Sequence, residues 1–175
     1  MLCDRVLGNI YSDPTGRYAG RVRDALELTW RDCTRRAVRG RTTNGRCVGV
    51  LLPVGINLRH GDVLTDEGDA EIVVVDVAMC EAWVAEFADA ASMATAALEL
   101  GNLHVPVEVA GELRLVTLPD GPTRGVLDRL ASAWKAEVRR FQPLRATVAG
   151  GDVQLASTFD VVRSRPPAQL TNSRE

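Results

Sequence analysis

Aromatic residues make up only 5% of the 175 positions, so any interior has to be built mainly from Val, Leu and Ala. No apolar run approaches the ~18–20 residues of a bilayer-spanning helix, which excludes a helical membrane protein. The opening Met1-Leu2-Cys3-Asp4-Arg5 lacks the charged, then apolar, then small order of a secretory signal, so a cytoplasmic protein with no membrane partner is expected. The four cysteines, Cys3, Cys33, Cys47 and Cys80, form no CxxC pair, which argues against a disulfide framework and against a zinc site. They are expected as reduced, mostly packed thiols, with Cys80 the partial exception because it shares a half of the chain with His104. The chain has no GxSxG, HExxH or Walker A loop and no Cys–His pair at a recognisable spacing, so no enzyme is expected. What remains, at 46% hydrophobic and 25% charged, is the make-up of a globular protein of one domain or two small ones.

The net charge of −2 conceals a segregation. Residues 1–60 hold 11 Arg against 5 acids, residues 61–113 hold 12 acids and neither Lys nor Arg, and residues 114–175 hold 10 basic side chains against 6 acids. The Arg residues of 31–46 fall in a strand-like segment of a chain whose pI is about 5.8, so a solvated strand face is expected there rather than nucleic-acid binding. The acidic middle would concentrate cations around any ligand it contains.

Residues 1–76 read as an all-β domain. Trp30 and then 35–41 lead to a turn at Thr43-Asn44-Gly45-Arg46, where Asn-Gly suits the positive φ of a type I′ hairpin. Cys47 to Leu52 is a short apolar strand closed by Pro53, which lacks an amide donor. Turns at 59–62 and 66–69 separate two further strands, and short, evenly spaced strands imply a small sandwich or partly closed barrel. From 77 to 146 the periodicity changes. A strand at 82–85 is followed by Asp89 as N-cap and an Ala-rich helix ending at Gly101, a residue suited to a left-handed helix stop. Strands at 105–109 and 113–116 precede a helix from Asp120 with Val126, Leu127, Leu130 and Trp134 on one face, and a last strand at 137–141. That order is the ferredoxin-like βαββαβ, so the fold class is α+β. Residues 147–175 are expected to be a mostly flexible tail.

The segment Gly101-Asn102-Leu103-His104-Val105-Pro106 matches a GNxHxP signature, and with it the chain resembles the UreE urease accessory proteins. Arg39 to Pro53 is similar to that family's hairpin, and Leu58-Arg59-His60-Gly61-Asp62-Val63-Leu64 to its LRxGDVL stretch. Gly111-Glu112-Leu113-Arg114, Val126 to Leu130 and Phe141-Gln142-Pro143 keep its spacing. Several weak matches in the right order over roughly residues 28–145 make a strong one.

The resemblance implies a β-rich N-terminal domain, often described as peptide-binding, and a ferredoxin-like metal-binding domain. It also implies a homodimer in which two His104 side chains share one Ni²⁺, carried as cargo to the urease apoprotein and its accessory proteins, including an accessory GTPase. Imidazole suits Ni²⁺, and Zn²⁺ or Cu²⁺ could replace it in vitro. Two imidazoles across a two-fold axis leave positions open for an acceptor's ligands. His60 is expected to be a solvated turn residue, and Asn102 to orient the loop through its amide. Water, Cys80 or tail oxygens are the candidates to complete the shell. Leu103 stands where Arg is usual, and neither 115–118 nor the tail carries histidine, so one ion per dimer is expected and storage is not. The competing reading is a non-catalytic partner-binding scaffold of the same fold with weak or no nickel binding.

Overall fold

A computed structural model describes residues 1–67 and 71–144. The readings made above for the 66–69 turn in part, and for the tail, lie outside these residues. In chain order the N-terminal half comprises β1 (Leu2–Cys3), β2 (Gly8–Asn9), β3 (Val22–Leu28), α1 (Trp30–Cys33), β4 (Ala37–Arg41), β5 (Cys47–Leu51), β6 (Asp62–Glu67) and β7 (Glu71–Val77). They form two sheets, ordered β1-β5-β4 and β2-β6-β7-β3. Leu26 and Leu28 of β3, Val48 and Val50 of β5, and Val73, Val75 and Val77 of β7 are buried together with Leu52, Leu58 and Leu64, so the core lies between the sheets. Alternation produces this: in β5 the even positions 48 and 50 are buried while 47 and 51 are exposed.

The structure differs from the sequence pattern in three places. The half is not all-β, because α1 interrupts it. Thr29 accepts from Asp32 N–H at 3.2 Å, and the Asp32 carboxylate in turn receives the Thr29 N–H, a reciprocal capping box around a helix too short to show a period. Strand β3 was not anticipated; it runs parallel to β7, with Leu26 opposite Val75. The Thr43-Asn44-Gly45 loop is not type I′, since Gly45 (φ 83°) is left-handed and Asn44 is not. Gly45 N–H closes on Thr42 C=O at 2.9 Å and Thr42 N–H on Arg46 C=O at 2.9 Å, a three-residue hairpin loop with its one left-handed residue last.

Gly40 of β4 faces inward, and a Cβ there would stand 2.7 Å from Cδ1 of the fully buried Leu26. Gly40→Ala is therefore expected to destabilise the fold by about 1–3 kcal/mol through overpacking, read by urea or thermal unfolding. No measurable loss would show that Leu26 has room to turn aside.

The C-terminal half comprises β8 (Met79–Glu86), α2 (Ala90–Asn102), β9 (Val107–Val109), β10 (Arg114–Thr117), α3 (Gly121–Leu130) and β11 (Ala133–Arg140). Its sheet is ordered β11-β8-β10-β9 with every neighbour antiparallel, the arrangement of a split βαβ, so the α+β, ferredoxin-like reading holds. Asp89 and Asp120 cap the two helices as expected, accepting from Ser92 N–H at 2.7 Å and Thr123 N–H at 2.6 Å. Both helices cover one sheet face, where Ala85, Ala96, Leu100, Leu115, Val126 and Leu127 are buried. Trp134 lies on β11 opposite Ala85 rather than on α3, and its ring meets Trp83 at 4.8 Å. Its spacing from Leu130 mimics a helical turn, but α3 has already stopped at Leu130, so the last strand begins at Ala133, earlier than expected. Cysteine packing is mixed: Cys3 and Cys33 are buried, Cys80 is half-buried and Cys47 is exposed. Burial, with Asp32 and Asp62 nearby, pushes the Cys33 thiol up to about 12.

Candidate metal centre

Helix α2 runs one residue beyond Gly101, and its end is built by backbone alone. Leu103 is the C-cap, His104 N–H donates to Gly101 C=O at 3.0 Å and Val105 N–H to Leu100 C=O at 2.9 Å. These are the two bonds of a Schellman turn, with His104 in the position glycine favours. The left-handed residue is therefore His104 (φ 57°), not Gly101, and among the described residues it is the one non-glycine residue with positive φ. Val105 and Leu100 belong to the same apolar cluster beneath α2, the hydrophobic contact that accompanies such a turn.

On its far side the loop is tethered too. Thr117 Oγ1 donates to Pro106 C=O at 3.3 Å, and Leu144 N–H to Val107 C=O at 2.8 Å. His104 itself is exposed on this anchored turn. Asn102 makes no side-chain hydrogen bond among the described residues, so the loop is not oriented by its amide as expected. Asn102 instead lines a shallow groove of about 460 Å³ between α2 and α3, with Leu103, Val126 and Arg129. Leu98 and Leu103, 66% and 47% exposed, add apolar surface to the last turns of α2.

Cys80 does not join this site. It lies with Ala82, Val84, Val116 and Phe141 on the sheet face opposite α2. Burial raises its thiol above the usual value, which disfavours the thiolate a metal needs. Among the described residues, no group of three or more His, Cys, Asp and Glu side chains is arranged to hold a metal.

His60 is not the solvated residue expected from its turn. Its ring stacks on Tyr11 at 5.1 Å, Nε2 lies 3.0 Å from the Tyr11 hydroxyl, and Nδ1 lies 3.4 Å from Val77 N and 3.3 Å from Asp76 Oδ1. Its backbone N–H donates to Gln142 Oε1 at 2.9 Å, and Arg140 Nη2 reaches Asp76 at 3.0 Å. Burial, then the Arg140 charge, lower the imidazole's pKa against the opposing pull of Asp76. Tyr11 and the 140–142 segment were the missed residues here, and no local pattern announces a contact between positions 82 apart.

Residues 3–78 match the family model for the N-terminal domain of the UreE urease accessory protein, and residues 75–158 match the one for its C-terminal domain. The urease accessory protein UreE of Nostoc punctiforme is 36% identical over 120 residues, covering 67% of this chain and 79% of that protein. The chain belongs to the UreE family. The UreE of Acetivibrio thermocellus is 28% identical over 151 residues, covering 86% of this chain and 95% of that one. Against the UreE of Flavobacterium johnsoniae, 34% identical over 93 residues, the alignment spans only 56% of the relative's length. As a UreE-family chain it places the histidine of its GNxHxP segment at the C-terminal end of α2, and among the described residues no helix is long and apolar enough to cross a membrane.

Proposed function

We propose that this chain is a non-catalytic nickel metallochaperone that binds Ni²⁺ through His104 and delivers it to the urease apoprotein. In this reading two chains pair so that their His104 side chains share one ion, and transfer proceeds with the other accessory proteins, including the accessory GTPase. The observation that carries the reading is the conformation of His104. A left-handed non-glycine residue costs about 1–2 kcal/mol, so an imidazole held in a position that favours glycine points to a use for the imidazole. Its placement fits cargo handling: the turn is pinned on both sides, yet the side chain stays open to solvent and to an incoming acceptor. The exposed Leu98 and Leu103 beside it offer the apolar surface a second copy would cover.

The test is a calorimetric Ni²⁺ titration of the protein beside His104→Ala, with the mass in solution recorded. One ion per two chains is expected, lost in the variant and weakened on acidification as protons compete for the ligand nitrogen. Equal binding by both proteins would remove His104 as the ligand, and several ions per dimer would overturn the single shared ion. Dimers that bind no nickel would favour the partner-binding scaffold instead.

A further inference from the structure

Strand β11 ends the four-stranded sheet of the C-terminal half, and its two faces differ in kind. Trp134 and Ala136 stand opposite Ala85 and Trp83, on the side that α2 and α3 cover. Lys135, Glu137 and Arg139 stand opposite Val84, Ala82 and Cys80, on the other side. Ala136 and Val138 (69% exposed) leave apolar surface in solvent along the edge. On the charged side Lys135 Nζ lies 2.9 Å from Glu137 Oε1, and Arg139 is held by Glu108 at 2.9 Å.

The hydrogen-bond register shows what the edge offers. Phe87 N–H donates to Leu113 C=O at 2.9 Å, which continues the β8–β10 ladder and turns the odd positions of β8 toward β10. The even positions of β8 therefore serve β11, where they meet odd residues, Glu86 with Ala133 and Cys80 with Arg139. In an antiparallel pair the intervening residues turn their N–H and C=O groups outward, so those of Trp134, Ala136 and Val138 point away from the sheet. None of these groups has a hydrogen-bond partner among the described residues.

We propose that β11 pairs with β11 of a second copy of this chain, antiparallel and centred on Ala136, in a contact separate from the pairing through His104. A two-fold pairing has to bring the outward residues opposite one another, and this centre does so, with Trp134 opposite Val138 of the second copy. On one face Trp134, Ala136 and Val138 then form a continuous apolar strip with their counterparts. On the other, Lys135 meets Glu137 of the second copy, at the pairs where side chains approach most closely. With the Lys135–Glu137 contact inside each chain, this closes a ring of four charges alternating in sign. Moving the register by two residues sets Glu137 against Glu137 in one direction and Lys135 against Lys135 in the other, so the charges select one register. Charges on an edge strand normally deter pairing, but a strand whose charges alternate in sign can satisfy them with its own copy. In the combined sheet the two β9 strands, which lead out of the His104 turns, lie at opposite edges roughly 30 Å apart, so this contact cannot bring two His104 side chains to one ion.

The experiment is sedimentation equilibrium of the metal-free full chain between about 10 μM and 1 mM, since a single strand pair makes a small and weak interface. The mass is expected to double from its dilute value as concentration rises. Lys135→Glu and Glu137→Lys should each weaken that step at least about tenfold, because each sets like charges opposite. The double variant Lys135→Glu/Glu137→Lys should regain it, and so should an equimolar mixture of the two single variants, whose charges are complementary. Amide exchange followed by NMR gives a second reading: the N–H groups of Ala136 and Val138 should exchange more slowly as the chain associates. A mass that does not change with concentration, single variants that associate like the unmodified chain, a mixture or double variant that stays apart, or unchanged exchange at Ala136 and Val138 would each overturn the proposal. His104→Ala should associate through β11 as the unmodified chain does, so failure of the nickel reading leaves this one standing, and the reverse holds.

Discussion

Replacing Asp24 with Ala is expected to lower stability by roughly 2–3 kcal/mol, a fall in melting temperature of about 5–10 °C for a chain of this size. Asp24 sits on β3 with no exposed surface, yet its role is to hold the hairpin loop of another sheet. Its Oδ1 accepts from Asn44 N–H at 2.9 Å and from Thr43 Oγ1 at 3.1 Å, while Oδ2 faces Arg46 Nε at 3.8 Å. Arg46 and Asn44 are in turn bound to Glu71 on β7. Removing the carboxylate orphans several donors at once, although the loop lies near enough to solvent for water to replace part of the loss.

Burial alone would raise the Asp24 carboxyl, but the bonds from Thr42, Asn44 and Thr43 and the Arg46 charge outweigh it and hold it below the ordinary 3.8. A carboxylate depressed on folding contributes stability above its unfolded-state value and loses it as the pH falls through the lower, folded one. The difference between Asp24 and Asp24→Asn should therefore be full at neutral pH and shrink in acid below about 3.9. Melting curves of both proteins at pH 7 and pH 3 check it. A gap that does not narrow would mean that shape, not charge, ties the hairpin down.

His104→Gly is expected to gain stability while losing nickel. Relief of the left-handed conformation is worth ~1–2 kcal/mol, and the greater freedom of glycine in the unfolded chain takes back ~0.5–1 kcal/mol. A net gain of roughly 0.5–1 kcal/mol, or about 1–4 °C, remains for the metal-free protein. His104→Ala keeps the strain and should melt close to the unmodified chain. Nickel affinity should fall by at least about 100-fold in both variants, if the imidazole is the ligand as proposed. A metal-free His104→Gly that melts below the unmodified protein would give the side chain a packing role and undercut the inference drawn from its strain.

Legibility in the sequence followed the strength of local patterning. The split βαβ could be read because Asp89 and Asp120 announce their helices and because β8 and β10 are short apolar runs. Strand β3 could not, since Val22-Arg23-Asp24-Ala25-Leu26-Glu27-Leu28 spends three of its seven positions on charge and buries one of them. Helix α1 shows itself only in its capping pair, because four residues make a single turn. The His104 turn misled for a different reason. Gly101 looks like the natural left-handed stop, but whether the left-handed residue falls there or three positions on depends on what the last turn packs against, here the contact between Leu100 and Val105 in the cluster beneath α2. His60 shows the same limit at longer range, since its partners Tyr11, Asp76, Arg140 and Gln142 meet only in the folded chain.

The chain's return along β9 has a consequence for colloidal behaviour. Leu144 bonds to Val107, and Gln142 N–H reaches the Glu108 carboxylate at 2.7 Å, so this flank of the four-stranded sheet is already occupied. Among the described residues only the β11 flank stays available, and Lys135, Glu137 and Arg139 line it. A sheet with one usable flank can join one other molecule and then has nothing left to offer. Edge-to-edge stacking through this half is thereby self-terminating at pairs, and concentrated solutions should not grow ribbons from it.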